Sequence, residues 1–196
     1  MSKEFNGEKF EITENESIRG GSHSEIDSVT LSSGRHSLNL LRKRIHGYPV
    51  EFMQGPEWHT ELKGRGYPVV PTYRYDSENN VEYITDLRRG GTHRVIDFCR
   101  NHDDLERMHV SNMGELEADV RKLVDKSADD GLIINDPNIF FDVEISTGIA
   151  RVLLVDLREM GYERFYEGPI ASRAEVFDHN QMILKGHMDS LRALVI

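Results

Sequence analysis

The chain has 196 residues, 24 Lys+Arg against 34 Asp+Glu and 38% hydrophobic residues, for a formal net charge of −10. That size suffices for one well-cored domain or two small ones. The acidic balance excludes the basic footprint of a general nucleic-acid binder. No apolar run approaches the ~20 residues of a membrane helix, and the lone Cys99 excludes a disulfide framework or a multi-cysteine metal site.

Residues 1–17 are polar, charged and almost without aliphatics, and they lack the apolar stretch of a signal peptide. They are expected to form a mobile arm. From Ile18 to Ile45 short alternating segments, punctuated at Gly20-Gly21-Ser22 and Ser32-Ser33-Gly34, predict a three-stranded meander. Pro56 and Gly64 suit the first turn and the end of a short helix over 57–63. Strands are predicted over 69–75 and 81–87, with a turn between them. Thr92 is placed to cap a helix running to about Arg100. Met113, Leu116, Val120, Leu123 and Val124 recur at helical spacing, which predicts a helix over 113–126, and Asn112 with Glu115 suggests a capping box. Three short apolar strands follow, over 132–134, 139–141 and 151–155. Weak helical periodicity closes the chain over 178–194. Segment 103–130 holds nine acidic and four basic residues, about half the net charge, and reads by default as a solvated face.

Three groups of residues could carry chemistry. Ile18-Arg19-Gly20-Gly21-Ser22-His23-Ser24-Glu25-Ile26 is a glycine turn between two strands; such glycines let backbone N–H groups approach phosphate oxygens, and they are equally ordinary hairpin residues. In Leu41-Arg42-Lys43-Arg44-Ile45, Lys43 shares its strand face with Leu41 and Ile45. An inward lysine needs an anion, because an unpaired buried ammonium is costly. A nucleotide phosphate and a helix glutamate, Glu57 before Glu61, would supply two. The plain alternative is a basic guard on an edge strand. Third, Asn135-Asp136-Pro137-Asn138 lies between two strands, and Asp156 ends the next. Oxygens collected at strand ends suit Mg²⁺ with its phosphate ligands. The loop is also a good turn in its own right, a reading that fits Asp156 poorly.

In order, these parts resemble a protein kinase: glycine hairpin, strand lysine, helix glutamate, strand and hinge, long helix, Asp/Asn loop, hairpin, Asp. Segment 81–98 resembles the strand, hinge and first large-lobe helix, and segment 115–141 the long helix entering the catalytic loop. The likeness is greatest to the small effector kinases that bacterial pathogens inject by type III secretion, the HopBF and OspG groups. Ile18 to Ile26 is similar to their Gly-x-Gly-Ser-x-x-Glu-Ile loop, and Asp156-Leu157-Arg158 resembles their Asp-Phe-Arg. The resemblance covers residues 18–160.

It implies an α+β, minimal two-lobed kinase-like fold. After the arm, 1–17, would come a β-rich N-lobe, 18–87, and a helical C-lobe, 88–196, without the usual activation segment and distal helical subdomain. It implies ATP and Mg²⁺ as cofactors. Gly20, Gly21, Ser22, His23 and Ser24 would cover the phosphates. Lys43 would hold the α- and β-phosphates, oriented by Glu57, and Leu87 with its neighbours would form the adenine hinge. Asp156 would bind Mg²⁺, Asn138 the second metal, and Asp136 would accept the substrate hydroxyl proton. Two departures stand out. Ile134-Asn135-Asp136 replaces His-Arg-Asp, and Pro137 alone separates Asp136 from Asn138 where four residues are usual.

The function so implied is a constitutively active Ser/Thr protein kinase, monomeric, delivered from the bacterium into the host cytoplasm. It would act there on a host protein, for which the HopBF likeness suggests the heat shock protein 90 chaperone. No nucleic-acid or membrane partner is expected. Two alternatives remain: a pseudokinase or binding module engaging a host protein such as a ubiquitin-loaded conjugating enzyme, or an intracellular bacterial kinase-like protein of the YrbL type. The nine histidines include no i, i+4 helix pair and suggest no metal site. Cys99, Trp58 and Tyr67 read as packing residues.

Overall fold

The computed structural model describes residues 2–5, 8–18, 24–34, 36–45, 55–76, 81–98, 106–135, 138–155, 161–162 and 172–196. They form a mixed α+β structure of two compact units, residues 1–61 with 70–89 and residues 62–69 with 90–196.

In the first unit β1 (Ser2–Phe5), β2 (Glu8–Ile18), β3 (Ser24–Ser33), β4 (His36–Ile45), β5 (Thr72–Asp76) and β6 (Val81–Thr85) form one antiparallel sheet in the order β1-β2-β3-β4-β6-β5. The expected mobile arm is therefore two strands. Its composition suits an arm, but β2 runs in register with β3 from Glu11↔Ser32 to Ile18↔Ile26. Its glutamates meet arginines: Arg42 Nη2 lies 2.7 Å from Glu14, and Arg88 Nη1 3.4 Å from Glu16. The register shifts at Asn15, whose Nδ2 donates to Thr30 Oγ1 at 2.9 Å.

Strand alternation divides β4 between two environments. One face carries the apolar cluster Val29, Leu40, Val81 and Tyr83, with Ile12 and Leu31 packed against it. Arg42 and Arg44 share this face, where both donate to Asp27 Oδ2, at 2.8 and 2.6 Å. Burial pushes the Asp27 carboxyl up, but the hydrogen bonds and charges of the two arginines outweigh it and hold the pKa below its ordinary value. The opposite face carries Ile26, Lys43 and Glu82, all buried. Since β4 lies between β3 and β6, the basic run is no edge guard. The helix α1 (Gly55–Gly64) matches the short predicted one, begun by Pro56, which has no N–H to leave unpaired.

The second unit contains β7 (His93–Ile96), α2 (Met113–Asp129), β8 (Leu132–Ile133), β9 (Ile139–Glu144), β10 (Ala150–Leu154), β11 (Gly161–Tyr162) and α3 (Arg173–Leu194). Its strands form a three-stranded sheet, β10-β9-β7, and the pair β11-β8. The helix predicted from Thr92 is instead β7 where the structure describes it: Val95 and Ile96 pair with Asp142 and Phe141 of β9, and that pairing overrides the local cap signal. Leu116, Val120, Leu123 and Val124 are buried on α2, as their spacing predicts, and Leu184, Met188 and Leu191 are buried on α3. Phe98 packs edge-on against Phe141 and His187. Buried His93 and Asp142 meet at 2.7 Å between Nδ1 and Oδ1. Tyr67 is buried; its hydroxyl donates to Asp130 at 2.8 Å and Lys126 lies over its ring.

Asn112 does not cap α2. Its amide pairs with the backbone of Ala150, accepting from N at 2.8 Å and donating to O at 2.9 Å, as a strand neighbour would. The true capping box is Ser172 with Glu175, at the start of α3. Cys99 lies outside the described residues, as does the side chain of Trp58.

Candidate functional site

The sequence-predicted site residues divide between the two units. In the first, the glycine turn is bracketed by paired strands, Ile18↔Ile26 closing one side and Ser24↔Ile45 tying β3 to β4. Gly20, Gly21, Ser22 and His23 lie outside the described residues, as do the side chains of Ser24 and Glu57. Lys43 sits mid-sheet, 8% exposed, on the face opposite Arg42 and Arg44. The three consecutive cations thus separate into two that bind Asp27 and one directed elsewhere, which suits an anion-holding role for Lys43.

After β6 comes the segment that the sequence leads one to expect as the hinge. Leu87 is buried between Asp86 and Arg88. Arg88 folds back on Asp86, with Nε 3.0 Å from Oδ1 and Nη2 2.9 Å from Oδ2, while its own N–H donates to Oδ1 at 3.0 Å. The Asp86 hydrogen bonds raise the Arg88 pKa. Gly90 and Gly91, at φ 66° and 89°, then take a left-handed turn that a side chain would strain. The segment from 86 to 91 is thereby given a defined path by one bidentate pair and two glycines.

In the second unit Asn138 is fully buried. Its Oδ1 accepts from Asn135 N at 3.0 Å and its Nδ2 donates to Val155 O at 3.2 Å. Its backbone repeats the pattern, N–H to Asn135 O at 3.0 Å and O from Val155 N at 2.9 Å. Asn138 therefore pins both ends of its own loop and the residue preceding Asp156. Asp136, Pro137 and Asp156 lie outside the described residues. Among the described residues no group of three His, Cys, Asp or Glu could hold a metal, so the fit to a metal rests on Asp156.

Sequence reasoning missed the residue that anchors this loop from behind. Asn180 on α3 is fully buried; its Oδ1 accepts from Ile134 N at 2.9 Å, and its Nδ2 donates to Leu132 O and Ser127 Oγ, each at 2.8 Å. His179 Nε2 lies 3.1 Å from Ile134 O. A polar residue at the helical spacing of Val176, Leu184, Met188 and Leu191 is the signal that could have found it, and that signal names no partner.

No protein-family model matches the sequence, and no curated protein matches it. Among solved structures, the crystal structure of a kinase domain superposes over 95% of this chain with a TM-score of 0.53 and 9% identity. The fold is that of a kinase domain. The chain spans 64% of the length of that domain, and the kinase fold is compatible with binding ATP and Mg²⁺.

Proposed function

We propose that the chain is an ATP-dependent protein kinase of the Ser/Thr type. The observation that carries this reading is Lys43, a buried cation on a central strand of a kinase-fold sheet, kept apart from its two paired arginine neighbours. Lys43 would hold the nucleotide phosphates under the glycine turn, and Leu87 would border the adenine. The pinned loop would present Asp136 to the substrate hydroxyl. Mg²⁺, held through Asp156 and Asn138, would neutralise charge on the transferred phosphoryl group. By its resemblance to the HopBF and OspG groups, the kinase would be a secreted effector acting in a host cell, and heat shock protein 90 is the first substrate to test. The deciding assay is phosphate transfer from labelled Mg-ATP in host lysate, wild type beside Asp156→Ala. Labelling by the wild type alone supports the reading; equal labelling by both proteins sinks it.

One observation favours a second reading, a nucleotide-independent binding module. Both ends of the Asn138 amide are engaged with backbone, so the residue has a complete structural role without a metal. A thermal-shift measurement separates the two. Millimolar Mg-ATP should raise the melting temperature of a nucleotide binder by mass action, and no shift favours the module.

A further inference from the structure

β1 accompanies β2 only as far as Glu11. Beyond that point, among the described residues, β2 is paired with β3 alone, up to its last rung, Ile18↔Ile26. The strand that runs into the glycine turn is therefore held from one side. Glu16, two residues before its end, stands opposite Ser28, on the face of Ile26 and Lys43. There Arg88 Nη1 donates to Glu16 Oε2 at 3.4 Å. An exposed ion pair of this length ordinarily contributes little, because two long side chains must be ordered to make it. Arg88 is ordered already. Its guanidinium holds both oxygens of buried Asp86, through Nε at 3.0 Å and Nη2 at 2.9 Å. Asp86 is fixed in turn: its N–H donates to Asn39 O at 3.2 Å, and Ser28 Oγ donates to its Oδ2 at 3.5 Å. The side-chain entropy lost on pairing is thus that of Glu16 alone.

From this network we infer that Glu16 and Arg88 are positioning residues, a strap that ties the free side of β2 to the 86–91 segment across the face of Lys43. β3, through Ser28, and β4, through the Asn39 carbonyl, anchor the fixed end of the strap, and Glu16 is its releasable end. The strap stands on these bonds; its use in nucleotide binding rests on the kinase reading above. In that reading the adenine lies between Leu87 and β2, and a strand already held in place lowers the ordering cost of binding.

The test is Glu16→Gln, which keeps the size of the side chain, removes its charge and leaves the Arg88–Asp86 bonds intact. At low salt, amide exchange over the rungs of residues 16–18 and 26–28 should accelerate about two- to fivefold, with the rungs of residues 11–13 unchanged. In 1 M NaCl, where the Debye length is about 3 Å, variant and wild type should coincide. Equal exchange at low salt, or a difference that survives 1 M salt as a packing role would, overturns the strap. The second arm is the phosphate-transfer assay. The KM for ATP should rise about two- to fivefold with kcat maintained, since the strap touches no reacting atom; an unchanged KM or a fall in kcat overturns the positioning role. A salt-sensitive exchange difference in a wild type that binds no Mg-ATP upholds the strap and removes the kinase reading.

Discussion

Replacing Asn180 with alanine would remove three buried hydrogen bonds at once, to Ile134 N, Leu132 O and Ser127 Oγ. At a net ~1 kcal/mol each, their loss costs about 3 kcal/mol. The Ile134 N–H, left without its acceptor, adds a desolvation penalty of about 1–3 kcal/mol, for a total of about 4–6 kcal/mol. Ser127 Oγ keeps its own bond to Val124 O, 3.0 Å away, so that hydroxyl is the least affected of the three groups. Urea unfolding should show a midpoint at least about 1 M lower. Amide exchange at Ile134 should accelerate more than at Leu123, which lies in the middle of α2. Asn180→Asp is the informative companion. It keeps the acceptor for Ile134 N but turns a carboxylate oxygen toward Leu132 O, so it should rescue Ile134 protection without restoring stability. A loss below about 1 kcal/mol for Asn180→Ala, or unchanged exchange at Ile134, would refute the anchoring argument.

Three further outcomes follow from the geometry. Gly148→Ala should destabilise by about 1–3 kcal/mol, because φ is +70° and a Cβ would meet His109 Cδ2 at 2.7 Å; Gly186→Ala, in open space on α3, should stabilise by about 0.5–1 kcal/mol, and matched urea curves check both. Asn112→Ala should cost about 1–2 kcal/mol through its two bonds to Ala150, whereas Asn112→Ser, a good cap that cannot span Ala150, should fail to restore it. Asp27, whose carboxyl is held below its ordinary value of 3.8 by Arg42 and Arg44, contributes stability that is complete above that value and is lost as pH falls through the folded-state pKa; below about pH 4 the wild type should therefore lose stability more steeply than Asp27→Asn, and parallel curves would contradict the assignment.

The parts most legible in the sequence are those whose signal is local. The apolar spacing of Leu116, Val120, Leu123 and Val124 depends only on the pitch of α2, and Leu41 and Ile45 mark the face of Lys43 by alternation alone. What escaped was decided by partners far along the chain. Segment 8–18 looks unstructured because its glutamates are stabilised by Arg42 and Arg88, which no local window contains. Thr92 carries cap chemistry, yet the next four residues are claimed by β9, 45 to 51 positions away. Asn180 is unremarkable until α3 is laid beside the 132–134 backbone. Ser172 and Glu175 form an S-x-x-E signature visible in the sequence, but the helix it opens has only weak periodicity, so the signature stands ahead of the residues predicted as helical.

The extra residue in β2 has a consequence of parity. Ile12, Glu14, Glu16 and Ile18 all sit at even positions, and an unbroken strand would turn them to one side. With Asn15 inserted, Ile12 and Glu14 face Leu31, Val29 and Arg42, while Glu16 and Ile18 stand opposite Ser28 and Ile26. One strand thus serves two masters, lending an isoleucine and a glutamate to each surface of the sheet. Deleting Asn15 would close the bulge and leave Glu14 opposite Val29 and Ile18 opposite Ile26, each on the surface it now serves, with only the bond from Asn15 to Thr30 lost.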